Sequence, residues 1–123
     1  MECGWISYSF SEIDLCDYDV IVADNLISRF VGLMFQELGD GEIMLFKFSD
    51  HVNKNFHTYF MLQSIDMIFL DQDFEVVELR EDVGSFQRVQ VRYSYMYVIE
   101  AAPGFILENN IIIDSRLNLG LEG

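Results

Sequence analysis

A chain of 123 residues suits one domain over 1–123, and 51% hydrophobic with 15% aromatic content marks a packed core rather than a disordered chain. Twenty-one acidic residues against seven basic ones give a net charge of −14, which argues against nucleic-acid partners and anionic membrane surfaces. No apolar run is long enough for a membrane span, and Met1-Glu2-Cys3-Gly4-Trp5 does not read as a secretory signal, so the expectation is a cytoplasmic protein.

Serine alternates with apolar residues from Trp5 to Phe10, which predicts a strand with Ile6, Tyr8 and Phe10 on one face. Asp19 to Ala23 ("DVIVA") is a second strand, joined to the first by an acidic loop. If these two form a hairpin, Cys16 lies near its loop and Cys3 at its open end, too far apart to bridge, which predicts free thiols. One short helix is expected at about residues 25–35, where Leu26, Phe30 and Leu33 recur at helical spacing behind Asp24 and Asn25 as N-caps. Gly39-Asp40-Gly41 turns the chain into a buried strand from about Ile43 to Phe48, and "SDHVNKN" (49–55) reads as a polar loop.

The run Ile65 to Leu70 is the strongest strand signal, and Asp71-Gln72-Asp73 turns it into "FEVVELR", a hairpin over 65–80. A further pair of strands is expected from Gln87 to Arg92 and from Tyr93 to Glu100. Pro103-Gly104 marks a turn in which Pro103 opens one helical turn, and "IIIDSRL" closes the chain as another short strand. Many short strands with one short helix predict a mainly β fold, a compact antiparallel sandwich or barrel-like domain.

No phosphate-cradling loop, dinucleotide fingerprint, nucleophile elbow or HExxH motif occurs. Among the ionisable residues Asp66 stands out, because its strand neighbours are apolar and a carboxylate there must be hydrogen-bonded, paired or neutralised. Arg29, His57 and Thr58 are candidate partners; backbone N–H groups of a neighbouring loop are another. His51 and His57 lack metal-ligand spacing, and Met34, Met44 and Met61 are core gap-fillers that could also hold a soft ion such as Cu(I). Asp71, Asp73 and Glu75 begin like a calcium loop, but Val76 stands where that loop needs glycine.

Four segments in order resemble the domain-of-unknown-function family 192. They are Arg29-Phe30-Val31-Gly32-Leu33-Met34, Met44-Leu45-Phe46, His57 through Asp66, and Glu100 through Gly104, within a family-like region of about residues 18–117. The resemblance implies a compact β domain and no particular reaction. This chain departs from the family pattern at Leu62, where a basic residue is usual, at Phe74, where glycine is frequent, and at Asp114-Ser115, in place of a closing Gly-Asp pair.

The leading expectation is a non-enzymatic domain, without a cofactor, that binds a small ligand or a protein partner. Its pocket is expected where Arg29, Met34, His57, Thr58, Met61, Asp66 and Glu100 converge. A hydrolase using Asp66 as base or nucleophile and His57 as proton carrier is the rival. A copper site on His57 and the methionines is a third reading. A monomer or weak dimer is expected.

Overall fold

A strand covered on both faces has no solvent side for polar residues, and the run Ile65–Leu70 is buried at every position. The computed structural model describes residues 12–23, 41–52, 56–58, 64–84 and 87–120. In chain order the elements are β1 (Glu12–Asp14), β2 (Asp19–Ala23), β3 (Glu42–Val52), β4 (Phe56–Thr58) and β5 (Ile65–Leu70). They continue with β6 (Val76–Val83), β7 (Gln87–Val89), β8 (Tyr95–Ala101), α1 (Phe105–Glu108) and β9 (Arg116–Asn118). Five strands form one sheet in the order β2-β3-β8-β5-β6, and β1-β9 and β4-β7 form short ladders of their own.

The fold is mainly β, as expected, although the sheet is mixed rather than antiparallel throughout. β3–β8, β8–β5, β5–β6 and β4–β7 pair antiparallel, whereas β2–β3 and β1–β9 are parallel. A parallel pair needs a long crossover, which residues 24–41 are long enough to provide. With β2 and β6 at its two edges, the five-stranded sheet is open and not a barrel.

Alternation along β3, β8 and β5 divides the core in two. On the first face Ile43, Leu45, Ile68, Leu70, Ile99 and Ala101 meet Leu15, Phe105, Ile106, Ile111, Leu117 and Leu119. On the second, Met44, Phe46, Ile65, Met67, Phe69 and Val98 meet Val83, Val89, Val91 and Tyr95. Both faces are therefore dry over most of the central strands, which is why their sequences are largely apolar.

Several expectations change. β3 continues past Phe48 into the segment expected as a loop, because a register shift between Lys47 and Val52 lets Val52 pair with Tyr95. β7 and β8 do not pair with each other: β7 takes β4, and β8 inserts between β3 and β5. "IIIDSRL" is a strand only from Arg116, since Ile112 and Ser115 close a turn through Ser115 N–H to the Ile112 carbonyl and Ile112 N–H to Ser115 Oγ, with Asp114 at φ 75°. Cys16 is disulfide-bonded, contrary to the expected free thiols. That expectation placed Cys16 in the loop of an isolated hairpin, whereas its segment is tied to β9, with Leu15 N–H donating to the Asn118 carbonyl at 2.7 Å. Cys3, the strand Trp5–Phe10 and the helix at 25–35 lie outside the described residues.

Two local structures carry the site. In the turn after β5, Asp71 Oδ1 accepts from the N–H groups of Asp73 and Glu75 at 2.8 and 3.0 Å, an aspartate turn that places Phe74 at φ 61°. After Pro103, Gly104 takes φ 94° and leads into α1, whose Phe105 and Ile106 are buried against the first face.

Candidate functional site

The two acidic residues of the expected pocket that the structure describes, Asp66 and Glu100, lie on neighbouring strands but on opposite faces of the sheet. The β5–β8 register sets Asp66 opposite Ala101 and Met67 opposite Glu100, so Asp66 shares the face of Ile68 and Leu70, and Glu100 that of Met44 and Met67. They do not meet in one pocket.

Asp66 is fully buried, and both of its oxygens are occupied. Oδ1 accepts from Asp82 N–H and Oδ2 from Ile106 N–H, each at 2.9 Å. Asp82 stands at φ 53° where the β5–β6 register shifts, and Ile106 is in the first turn of α1. The carboxylate thus fastens a bulge on one side and a helical turn on the other to the central sheet, which is the backbone-holding role considered from the sequence.

Glu100 is the opposite case. It is buried between Met44 of β3 and Met67 of β5, and its Oε2 has no hydrogen-bond partner among the described residues. Burial alone raises its pKa from 4.5 to about 8, so the group is mostly protonated at neutral pH. Other charged groups on this face are Glu78 and Arg80 of β6, already paired with each other at 2.7 Å.

His57 and Thr58 lie on β4, opposite Arg88 and Gln87 of β7. Val89 of the same ladder packs into the second-face core, so β4 and β7 belong to the side of the sheet that carries Glu100. The side chains of His57 and Thr58, and all of Arg29, Met34 and Met61, lie outside the described residues.

The first face carries a feature that the sequence reading missed. A cleft of about 370 Å³ opens there, lined by Glu12, Lys47, Phe74, Tyr97, Arg116 and Asn118 among others. Its wall is an edge-to-face aromatic pair, Phe74 and Tyr97, with ring centroids 4.4 Å apart. Phe74 holds this position from a left-handed backbone conformation that costs a non-glycine residue roughly 1–2 kcal/mol. On the rim, Glu12 and Arg116 are register neighbours of the parallel β1–β9 pair and so project to one side. Among the described residues neither side chain makes a hydrogen bond or an ion pair, with its neighbour or with any other group. These residues come from both ends and the middle of the chain, which no local pattern links. The one sequence signal was Phe74 itself, a phenylalanine where the family resemblance favours glycine.

Comparison with known proteins places this geometry in a family. A candidate transcription regulator from Sinorhizobium meliloti superposes with a TM-score of 0.73 at 21% identity, covering 79% of this chain and 78% of that one. A protein of unknown function from Novosphingobium aromaticivorans gives 0.74 at 22% identity, over 80% and 73% of the two chains. These likenesses show a shared fold. By sequence, the UPF0127 protein of Pyrococcus furiosus is 31% identical over 99 residues, which are 80% of this chain and 84% of that protein. The UPF0127 protein of Pyrococcus abyssi is 33% identical over 92 residues, 75% of this chain and 71% of its own length. With the UPF0127 protein of Pyrococcus horikoshii the identity is 39% over 61 residues, and the chain spans only 53% of that relative's length. The model of the family DUF192, described as Uncharacterized ACR, matches residues 11–119, and the chain belongs to that family.

Proposed function

We propose that this chain is a binding domain for a small organic ligand, held without catalysis in the cleft between the β5–β6 turn and β9. The observation that carries the reading is the cleft itself: its volume of about 370 Å³ lies within the range of ligand pockets, roughly 300–1,000 Å³, and it joins an aromatic wall to a few convergent polar groups. The strained backbone at Phe74 supports it, because strain persists where surrounding structure or function holds it in place.

Asp66 is poorly suited to be the base of a hydrolase. Both oxygens are engaged by backbone N–H groups and the side chain is closed off from solvent. Nucleic acid and anionic membranes are poor partners for a net charge of −14. Among the described residues no helix is long and apolar enough to cross a membrane.

A thermal-shift screen of small organic molecules against the wild type and Phe74→Gly tests the reading. Glycine relieves the backbone strain while removing the ring, and these opposing terms keep the expected net stability change within about 2 kcal/mol. A ligand present at 100 times its Kd stabilises by about 2.7 kcal/mol, a shift of several degrees that the variant should lose. If no compound shifts the wild type, or the same shift survives in Phe74→Gly, the cleft is not the binding site.

A further inference from the structure

Two oppositely charged side chains, placed side by side and left unpaired, are unusual in a chain with only seven basic residues and 21 acidic ones. In solution such neighbours ordinarily satisfy each other or a nearby backbone group. Here Glu12 and Arg116 are adjacent in the β1–β9 register, line the same cleft, and among the described residues pair with nothing. Lys47 and Asp73 also line the cleft, but Asp73 accepts from Gln72 Nε2 at 3.3 Å and Lys47 has a partner of its own, which leaves Arg116 and Glu12 as a positive and a negative group about one strand spacing, ~4.8 Å, apart at the backbone, with the apolar wall of Phe74 and Tyr97 in the same space.

From this arrangement we infer that the cleft binds a zwitterionic α-amino acid with an apolar side chain. The inference rests on the cleft being the ligand site. An α-amino acid carries its carboxylate and ammonium on one carbon, so one small molecule can meet both rim charges at once. Arg116, exposed on β9, presents a planar fork of donors to the carboxylate. Glu12, partly buried on β1, accepts from the ammonium. The side chain of the ligand then lies against the Phe74–Tyr97 wall, where removal of apolar surface from water supplies affinity. A simple anion satisfies Arg116 but brings a negative charge toward Glu12, and a simple cation satisfies Glu12 but approaches Arg116. A zwitterion removes both penalties.

Calorimetric titration of the full chain with L-phenylalanine, L-leucine, 3-phenylpropionate and phenethylamine tests this class. Phenylpropionate is phenylalanine without the ammonium, and phenethylamine is phenylalanine without the carboxylate. Hydrogen bonds to charged groups are strong enough that each truncated analogue should bind roughly 10- to 100-fold more weakly than the amino acid. Arg116→Gln should weaken phenylalanine and phenylpropionate and tighten phenethylamine, from which it removes an opposing positive charge. Glu12→Gln should weaken phenylalanine and phenethylamine and tighten phenylpropionate, from which it removes an opposing negative charge. Both positions are on the cleft rim rather than in the core, and circular dichroism of each variant checks that it folds.

Truncated analogues that bind as well as phenylalanine, or variants that weaken all compounds alike, overturn the zwitterion assignment. Failure of all the probes named here, with a different compound bound and lost in Phe74→Gly, also refutes the amino-acid class but leaves the cleft as the ligand site. If nothing in a broad screen binds, both the class and the cleft reading fall.

Discussion

Asp66 and Glu100 are both buried carboxyl groups on neighbouring strands, yet the fold treats them in opposite ways. Asp66 accepts from two backbone donors, the N–H groups of Asp82 and Ile106, each at 2.9 Å. An asparagine there retains one acceptor oxygen and turns an NH2 group toward the other donor. One buried N–H is then left facing a donor, an arrangement that costs about 1–3 kcal/mol. Asp66→Asn should therefore lower the unfolding free energy by that amount, read as a lower urea midpoint with little change in the slope of the transition, and an unchanged midpoint would show that neither bond matters to stability. The sequence made Asp66 conspicuous, since a carboxylate within Ile65–Leu70 had to be satisfied somehow. It made Glu100 visible only through the family pattern. What it hid was their separation: the face a strand residue occupies depends on register with strands far away in the chain, and Asp66↔Ala101 is such a non-local fact.

At the scale of elements, local chemistry was legible and non-local pairing was not. The β5 strand and the aspartate turn after it follow from neighbouring residues and stand where the pattern put them, whereas the short helix opens at Phe105 rather than at Pro103, because Gly104 at φ 94° is its N-cap. β3 outran its apolar segment because pairing with β8 resumes after an irregularity at residues that look polar, and β8 lies between β3 and β5 rather than beside β7. Those choices belong to the sheet as a whole. The clearest local dependence is at the start of α1, where Gly104 has φ 94°. A Cβ there meets nothing within 4 Å, so replacement by alanine carries a backbone cost without a steric one. Gly104→Ala should lower stability by about 1 kcal/mol. Because Gly104 sets the turn that presents Ile106 N–H to Asp66, its cost should overlap with that of Asp66→Asn, and the double variant should be less destabilised than the sum of the singles. Strict additivity in urea titrations would mean that the helical turn and the carboxylate are independent.

Across the whole molecule, two electrostatic terms oppose folding at neutral pH, and they differ in kind. The net charge of −14 is a distributed surface repulsion. Salt shortens its range from about 10 Å at 0.1 M to about 3 Å at 1 M. Glu100 is a single buried group whose pKa rises from 4.5 to about 8 because the fold withdraws it from water. Between those two values the folded chain holds a proton that the unfolded chain has released, so stability falls as pH rises. The slope is about 1.4 kcal/mol per pH unit, about 5 kcal/mol over the interval, and it levels off above pH 8. Glu100→Gln keeps the shape and cannot ionise, so it should remove this slope. The difference between wild type and variant is the quantity to measure, by urea unfolding from pH 5.5 to 8.5. Raising the salt should stabilise both proteins at every pH and leave the difference between their slopes in place, because salt screens surface charges far more than it screens a desolvated one. If high salt abolishes that difference, the Glu100 carboxyl is hydrated, and the second face of the sheet is not the dry layer that its methionines describe.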